Sequence, residues 1–125
     1  MDDKEFFRAV AERSGLSRQE AADLTRATLD TLGHRLSAGE ARDLALELPE
    51  PLRGSLQSGQ GEMEIFGPDE SIRRVGEHTG LTEPEAARGV RAVLSTLQEA
   101  ISQKEFAHAM SQLGKAYAQL VESTR

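Results

Sequence analysis

Apolar residues recur every three or four positions along most of the chain, the spacing that places them on one face of an α-helix. The first such stripe predicts a helix over residues 3–13, ended by Gly15, and a longer stripe predicts a second helix over 18–36. A third stripe runs from Ala41 to Leu48. The pattern therefore predicts an all-α protein with three helices in this part of the chain.

The same pattern returns 65 positions later. Aligned without a gap, residues 6–56 and 71–121 are identical at sixteen of fifty-one positions, among them Gly15 and Gly80. Self-similarity at a fixed offset indicates an internal repeat, and a copy number of two favours an intramolecular pseudo-dimer over a solenoid. We therefore predict two tandem three-helix repeats, related by a pseudo-twofold axis, that form one helical bundle.

Each repeat contains two sites with the spacing of a capping box. In this motif a hydroxyl accepts a hydrogen bond from the backbone N–H three residues on, and a glutamate binds the N–H of the capping residue. The four sites occupy matching positions in the two repeats and predict the starts of the second and third helices. The pairs are Ser17/Glu20, Ser37/Glu40, Thr82/Glu85 and Ser102/Glu105.

Prolines distinguish the ends of the two repeats. Pro49 and Pro51 are incompatible with a continuing helix, so the first repeat is expected to break there and to finish with a short turn around Leu52 and Leu56. The second repeat has no proline in the corresponding stretch. We therefore expect one long C-terminal helix.

A glycine-rich connector joins the repeats, with the sequence QSGQGEMEIFGPDE at residues 57–70. Its three glycines and one proline predict an irregular segment with Ile65 and Phe66 tucked into the core. The alternation in EMEIF leaves a short extended piece as the alternative. The predicted organisation is a first repeat over 1–56, a connector over 57–69 and a second repeat over 70–125.

Composition and charge limit the classes of function that we expect for this chain. The chain has no cysteine and therefore neither disulfides nor thiolate metal sites, and no apolar run reaches the roughly 18 residues of a membrane span. The N-terminus, MDDKEFF, is acidic where a signal peptide would be basic. We expect a bacterial-type cytoplasmic location without membrane association. A formal charge of −6 repels phosphate and disfavours nucleic acid as a partner.

The first repeat resembles a known bacterial family. The stretch EFFRAVAERSGLSRQEAADLTRATLDTLGHRLSAGEARDLALELPEPLRGSL closely resembles the repeat of the domain of unknown function 2267, and the resemblance covers essentially the whole chain. It implies a helical protein of two repeats and assigns no catalytic residue. One departure is that Leu48-Pro49 becomes Leu113-Gly114 in the second repeat.

A more distant resemblance concerns DNA-bending proteins. The stretch VAERSGLSRQEAADLTRATLDTLGHRLSAGE looks like the helical hairpin of the histone-like HU and IHF proteins. In that family two chains intertwine through these helices, and basic β-ribbon arms grip the minor groove. Here no pair of basic strands follows Leu48. Because the arms make the minor-groove contacts, the resemblance alone does not imply DNA binding.

The sequence contains few residues that are candidates for catalysis or for binding a metal or an anion. His34, His78 and His108 lie in different elements, and none is followed by a metal-ligating partner three or four residues on. Catalytic fingerprints such as G-x-S-x-G, the Walker loop and H-E-x-x-H are absent from the sequence. Arg26 and Arg91 occupy matching positions opposite the leucine stripe. They could form an anion or partner site if the pseudo-twofold brought them together, or lie on a solvated face with Arg26 paired to a nearby aspartate.

These observations lead to an expected function. We predict a non-catalytic helical interaction or scaffold module that binds a protein partner or self-associates through helix faces. It is expected to need no metal, cofactor or catalytic residue. The alternative is a nucleoid-associated DNA-binding protein built on the histone-like helical base.

Overall fold

The computed structural model describes residues 1–122, which form eight helices and no strand. The all-α prediction is confirmed. The helices are α1 Asp3–Ser14, α2 Arg18–Arg35, α3 Ala38–Glu47, α4 Glu50–Ser58, α5 Pro68–Thr79, α6 Glu83–Ala100, α7 Gln103–Leu113 and α8 Lys115–Glu122. None of the helices in residues 1–122 combines the length and apolar character required to cross a bilayer.

The helix bounds follow the sequence offset. Helices α5 and α6 begin and end 65 residues after α1 and α2. Helix α1 packs against α6 as well as α2, and α5 packs against α2 as well as α6. The two halves therefore share a single apolar core, to which α1 through α8 all contribute buried side chains. The exact pseudo-twofold relation between the halves stays a prediction.

Local signals explain where the first helix of each half ends. Gly15 and Gly80 have φ angles of 76° and 77°, in the left-handed region that a residue with a Cβ rarely adopts. Their N–H groups bond back to carbonyls four residues earlier. Two residues later, the Ser17 and Thr82 side chains accept the N–H of Glu20 and Glu85, whose carboxylates bind the capping N–H in return. Both capping boxes are complete.

The two longest helices meet at one close contact. Leu24 of α2 is fully buried, and a Cβ added to Gly89 of α6 would overlap the end of the Leu24 side chain. Positions 24 and 89 are 65 residues apart and so correspond in the two halves. The large residue at one position fits only because the matching position has no side chain.

Each half contains four helices, so the prediction of three-helix repeats is wrong in number. The stretch after Pro49 forms the nine-residue helix α4 instead of a short turn. The predicted long C-terminal helix is also interrupted, because Gly114 takes φ 101° and ψ 173° between α7 and α8. Pro49 and Gly114 therefore interrupt the helices at matching positions of the two halves. Proline cannot continue a helix, whereas glycine adopts a backbone conformation that other residues rarely take.

The connector differs from its prediction in its bounds and in the position of one side chain. It spans 59–67, since α4 continues to Ser58 and α5 starts at Pro68. Ile65, expected in the core, is 85% exposed, whereas Phe66 is half-buried. The guanidinium groups of Arg35 and Arg74 lie 5.8 and 4.1 Å from the centroid of the Phe66 ring. Two cations over one ring hold Phe66 inward and leave Ile65 pointing to solvent.

Candidate functional site

Helices α3 and α7 run antiparallel and cap each other. The Ser102 N–H and hydroxyl at the start of α7 donate to the carboxylate of Glu47 on α3, at 2.7 and 3.1 Å. In the reciprocal contact, Gln112 of α7 accepts the Ser37 N–H at 2.9 Å and donates to its hydroxyl at 3.1 Å. Each helix thus satisfies its first backbone donors with a side chain from the other half.

The reciprocal caps change the role of two predicted glutamates. Ser37 and Ser102 still accept the N–H of Glu40 and Glu105, at 3.2 and 3.1 Å. The capping N–H groups, however, already bond Gln112 and Glu47, so the second half of each capping box is missing. The box prediction is therefore wrong at these two sites. The carboxylates of Glu40 and Glu105 turn toward each other instead.

The carboxylate pair lies in an environment that disfavours negative charge. Glu40 is 8% exposed. Burial, a hydrogen bond shared with Glu105, and the charges of Glu105, Asp43 and Glu47 raise the pKa of Glu40 to about 8. At neutral pH the Glu40 carboxyl group is therefore mostly protonated.

A histidine completes the group, and we call Glu40, Glu105 and His108 the carboxylate–histidine cluster. One ligand atom from each residue lies within 4.8 Å of the others, and His108 is exposed. The Oε2 atoms of Glu40 and Glu105 are buried without a hydrogen-bond partner among the described residues. Sequence reasoning missed this cluster, although the spacing Glu105-x-x-His108 places a carboxylate and an imidazole on one helix face.

Removing one reciprocal cap should weaken the α3–α7 contact. We expect Gln112→Ala to lower the free energy of unfolding by about 1 kcal/mol, because two hydrogen bonds to Ser37 are lost and its N–H is left without its acceptor. Urea unfolding would measure the loss. Gln103→Ala, an exposed site in the first turn of α7, is the control. Equal stability of the two variants would contradict the capping role of Gln112.

A second feature is the connector surface, which we define as Glu62, Met63 and Ile65. Met63 is 52% exposed and Ile65 is 85% exposed. Between them Glu64 anchors the segment: its N–H donates to the His34 carbonyl at 2.8 Å, and its carboxylate lies 3.3 Å from His34 and 3.0 Å from Arg74. Both ionic contacts keep the pKa of Glu64 below its ordinary value.

A buried arginine fixes the end of the connector. Arg35 is 6% exposed and donates to the carbonyl oxygens of Phe66 and Leu113, at 2.7 and 2.6 Å. Tyr117 adds a longer hydrogen bond to the Phe66 carbonyl at 3.3 Å. A cation at the C-terminal end of α7 is stabilised by the helix dipole. Arg35 therefore connects α2, the connector and α7.

Arg26, one of the two arginines of the predicted anion site, contacts residues of its own helix and of α1. Arg26 lies 5.2 Å from the centre of the Phe7 ring and 3.9 Å from Asp23. It lines an open cavity of about 440 Å³ formed by α2, α4 and α5, where Asp23 and Asp30 oppose the binding of an anion. Arg91 is half-buried on α6 and belongs to a different element. An anion site shared by Arg26 and Arg91 stays a prediction.

Comparison with known proteins identifies the family. A comparison with curated proteins gave no match. The family described as "Uncharacterized conserved protein (DUF2267)" matches residues 3–120, which include all the helices from α1 to α7 and most of α8. The chain therefore belongs to the DUF2267 family.

Proposed function

We propose that this protein is a cytoplasmic, non-catalytic interaction module that binds a protein partner through the connector surface. The observation that carries the proposal is the exposure of Met63 and Ile65 on a segment anchored on both sides. Glu64 is held by His34 and Arg74, and Phe66 by Arg35 and Arg74. Exposed apolar side chains on an ordered segment are typical of binding surfaces.

Anchoring improves binding for a thermodynamic reason. A free loop would lose conformational entropy on association, and this cost lowers affinity. The backbone of the connector is already fixed at Glu64 by the His34 carbonyl and at Phe66 by Arg35. Met63 and Ile65 are therefore presented in one arrangement before any partner arrives.

Charge defines the chemistry of the partner. Residues 57–70 contain four acidic residues and no lysine, arginine or histidine. Glu64 and Glu70 form ion pairs with Arg74, whereas Glu62 and Asp69 are exposed and form no ion pair with any other residue in 1–122. A complementary partner segment would place an apolar side chain against Ile65 and basic side chains beside Glu62 and Asp69. The proposed partner is thus a basic, apolar segment of another protein.

Site-specific photocrosslinking in the source cell would find this partner. A photoreactive residue at position 65 should trap one protein, whereas the same residue at position 46 on α3 should not. Leu46 is a suitable control because, like Ile65, it is an exposed aliphatic residue, at 65%. Identical crosslinked products at both positions, or none at position 65, would overturn the proposal.

The purified partner then permits a quantitative test. We expect Ile65→Ser to weaken its binding at least tenfold, as loss of a central apolar anchor does, while Leu46→Ser leaves affinity unchanged. The affinity should also fall with added salt, because the contact includes acidic residues. Isothermal titration calorimetry at two salt concentrations measures both effects. Equal affinities for wild type and Ile65→Ser would contradict the assignment.

The DNA-binding alternative lacks a supporting observation. Residues 1–122 contain no strand that could form a β-ribbon arm. A gel shift at about 50 mM salt distinguishes the two functions, because phosphate contacts give affinity that falls steeply with salt. A shift of this kind would favour the alternative over the interaction module.

A further inference from the structure

We propose that Glu40, Glu105 and His108 form a binding site for one divalent transition-metal ion of the zinc class. The site would connect α3 to α7 across the two halves of the protein. It is independent of the connector surface, which lies on a different segment. The proposal rests on three observations, which concern the geometry of the ligand atoms, their unpartnered state and their chemistry.

The geometry requires only a small adjustment. The three ligand atoms lie within 4.8 Å of one another. Tetrahedral zinc with bonds of about 2.0–2.2 Å places its ligand atoms about 3.4 Å apart. The ligand atoms would have to approach by up to about 1.4 Å, and the broad terminal torsions of glutamate favour such an adjustment. Three protein ligands leave a fourth position open to water.

The unpartnered oxygen atoms are the second, independent observation. Glu40 is more than nine-tenths buried, and its Oε2 has no hydrogen-bond partner among the described residues; the same is true of the Glu105 Oε2. A buried polar atom without a partner costs about 1–3 kcal/mol. Neighbouring Asp43 and Glu47 add further negative charge to the site. A divalent cation would displace the proton from Glu40 to solvent, bind these oxygens and neutralise the two carboxylates.

The ligand set selects the kind of metal. Mg²⁺ and Ca²⁺ prefer six or more oxygen ligands, whereas imidazole favours zinc, nickel and related ions. Two carboxylates and one imidazole therefore fit zinc better than the alkaline-earth ions. His108 is exposed while Glu40 is buried, so the ion would enter from solvent on the histidine side.

Rigid helices support the site from both sides. Glu40 and Glu105 lie in the first turns of α3 and α7, where the helix dipole favours negative ligands. The reciprocal caps formed by Glu47 and Gln112 hold these first turns in place. Because the ligands come from both helices, a bound ion should stabilise the contact between the halves.

Titration of the metal-free protein with Zn²⁺ tests the proposal. We expect one ion per chain, a Tm that rises with Zn²⁺ concentration, and visible absorption from a low-symmetry site when Co²⁺ replaces zinc. Mg²⁺ should produce none of these changes. Glu40→Gln, Glu105→Gln and His108→Ala should each weaken Zn²⁺ binding at least tenfold. Circular dichroism would verify that the variants remain helical.

His34→Ala is the matched control, because His34 also lies beside two carboxylates. Its imidazole is 3.8 Å from Asp30 and 3.3 Å from Glu64. Zinc binding that survives His34→Ala and is lost in His108→Ala supports the proposal. Absence of binding, loss in His34→Ala alone, or equal binding by wild type and all three cluster variants would overturn it. Ile65→Ser should bind zinc normally, so this test is separate from that of the connector surface.

Discussion

Replacing Glu40 by glutamine is expected to stabilise the metal-free protein by up to about 5 kcal/mol at pH 9 and to change its stability little at pH 4.5. In the folded protein the pKa of Glu40 is about 8, compared with an ordinary value of 4.5. One unit of pKa difference corresponds to about 1.4 kcal/mol. Burial and the neighbouring charges of Glu105, Asp43 and Glu47 cause the difference, and glutamine carries no charge for them to oppose.

The direction follows from proton binding. Between pH 4.5 and 8 the folded state holds a proton on Glu40 that the unfolded state has released. Stability contributed by this proton is complete below pH 4.5, declines as the pH rises and is absent above pH 8. The wild type should therefore lose stability across this window relative to Glu40→Gln, at up to about 1.4 kcal/mol per pH unit.

Urea unfolding at pH 4.5, 6, 7.5 and 9, in the presence of a chelator, would measure the difference. Glu62→Gln is the control, since Glu62 is an exposed residue of the connector. Its stability should follow that of the wild type at every pH. A pH-independent difference between wild type and Glu40→Gln would show that Glu40 does not hold this proton in the folded protein.

Replacing Gly33 by alanine is expected to lower the free energy of unfolding by about 2 kcal/mol. A Cβ at this position would overlap the Leu56 carbonyl oxygen and lie 3.1 Å from the Gly59 Cα. Both obstacles are backbone atoms of α4 and its end, so no side chain can rotate away. Helices α2 and α4 would have to separate, which disturbs the fully buried Leu52 and Leu56.

Gly54→Ala provides the matched comparison. Gly54 also lies within a helix, α4, but a Cβ there meets no atom within 4 Å. Alanine is favoured over glycine in a helix by about 1 kcal/mol, so Gly54→Ala should be neutral or stabilising. Differential scanning calorimetry of the two variants measures the contrast. If both substitutions raised Tm equally, the close approach of α2 and α4 at Gly33 would be refuted.

Local signals explain which parts of the fold were predictable. Gly15 and Gly80 end helices because of their own backbone freedom, and Ser17 begins α2 through bonds within four residues. Such interactions depend only on neighbours along the chain. The break at Gly114 was missed because glycine within a helix is tolerated in many contexts. Its φ of 101° shows that here the chain turns.

The candidate sites depended on contacts that no local signal encodes. Glu40 and Glu105 have the same spacing from their serines as Glu20 from Ser17, yet only Glu20 closes its box. The difference arises because Glu47 and Gln112 reach the capping N–H groups from the opposite helix. Likewise, the inward position of Phe66 depends on Arg35 and Arg74, which lie 31 and 8 residues away in sequence.

The sequence by itself determined the helical class and the starts of most helices, because periodicity, glycine and capping residues act over a few positions. Only the tertiary structure decided that Glu40, Glu105 and His108 meet, and that Ile65 faces solvent while Phe66 does not. Those outcomes depend on which surfaces pack against each other across 65 residues of chain. Packing of α3 against α7 places two carboxyl groups together where Glu40 is buried, and this proximity gives the site its proposed affinity for a cation.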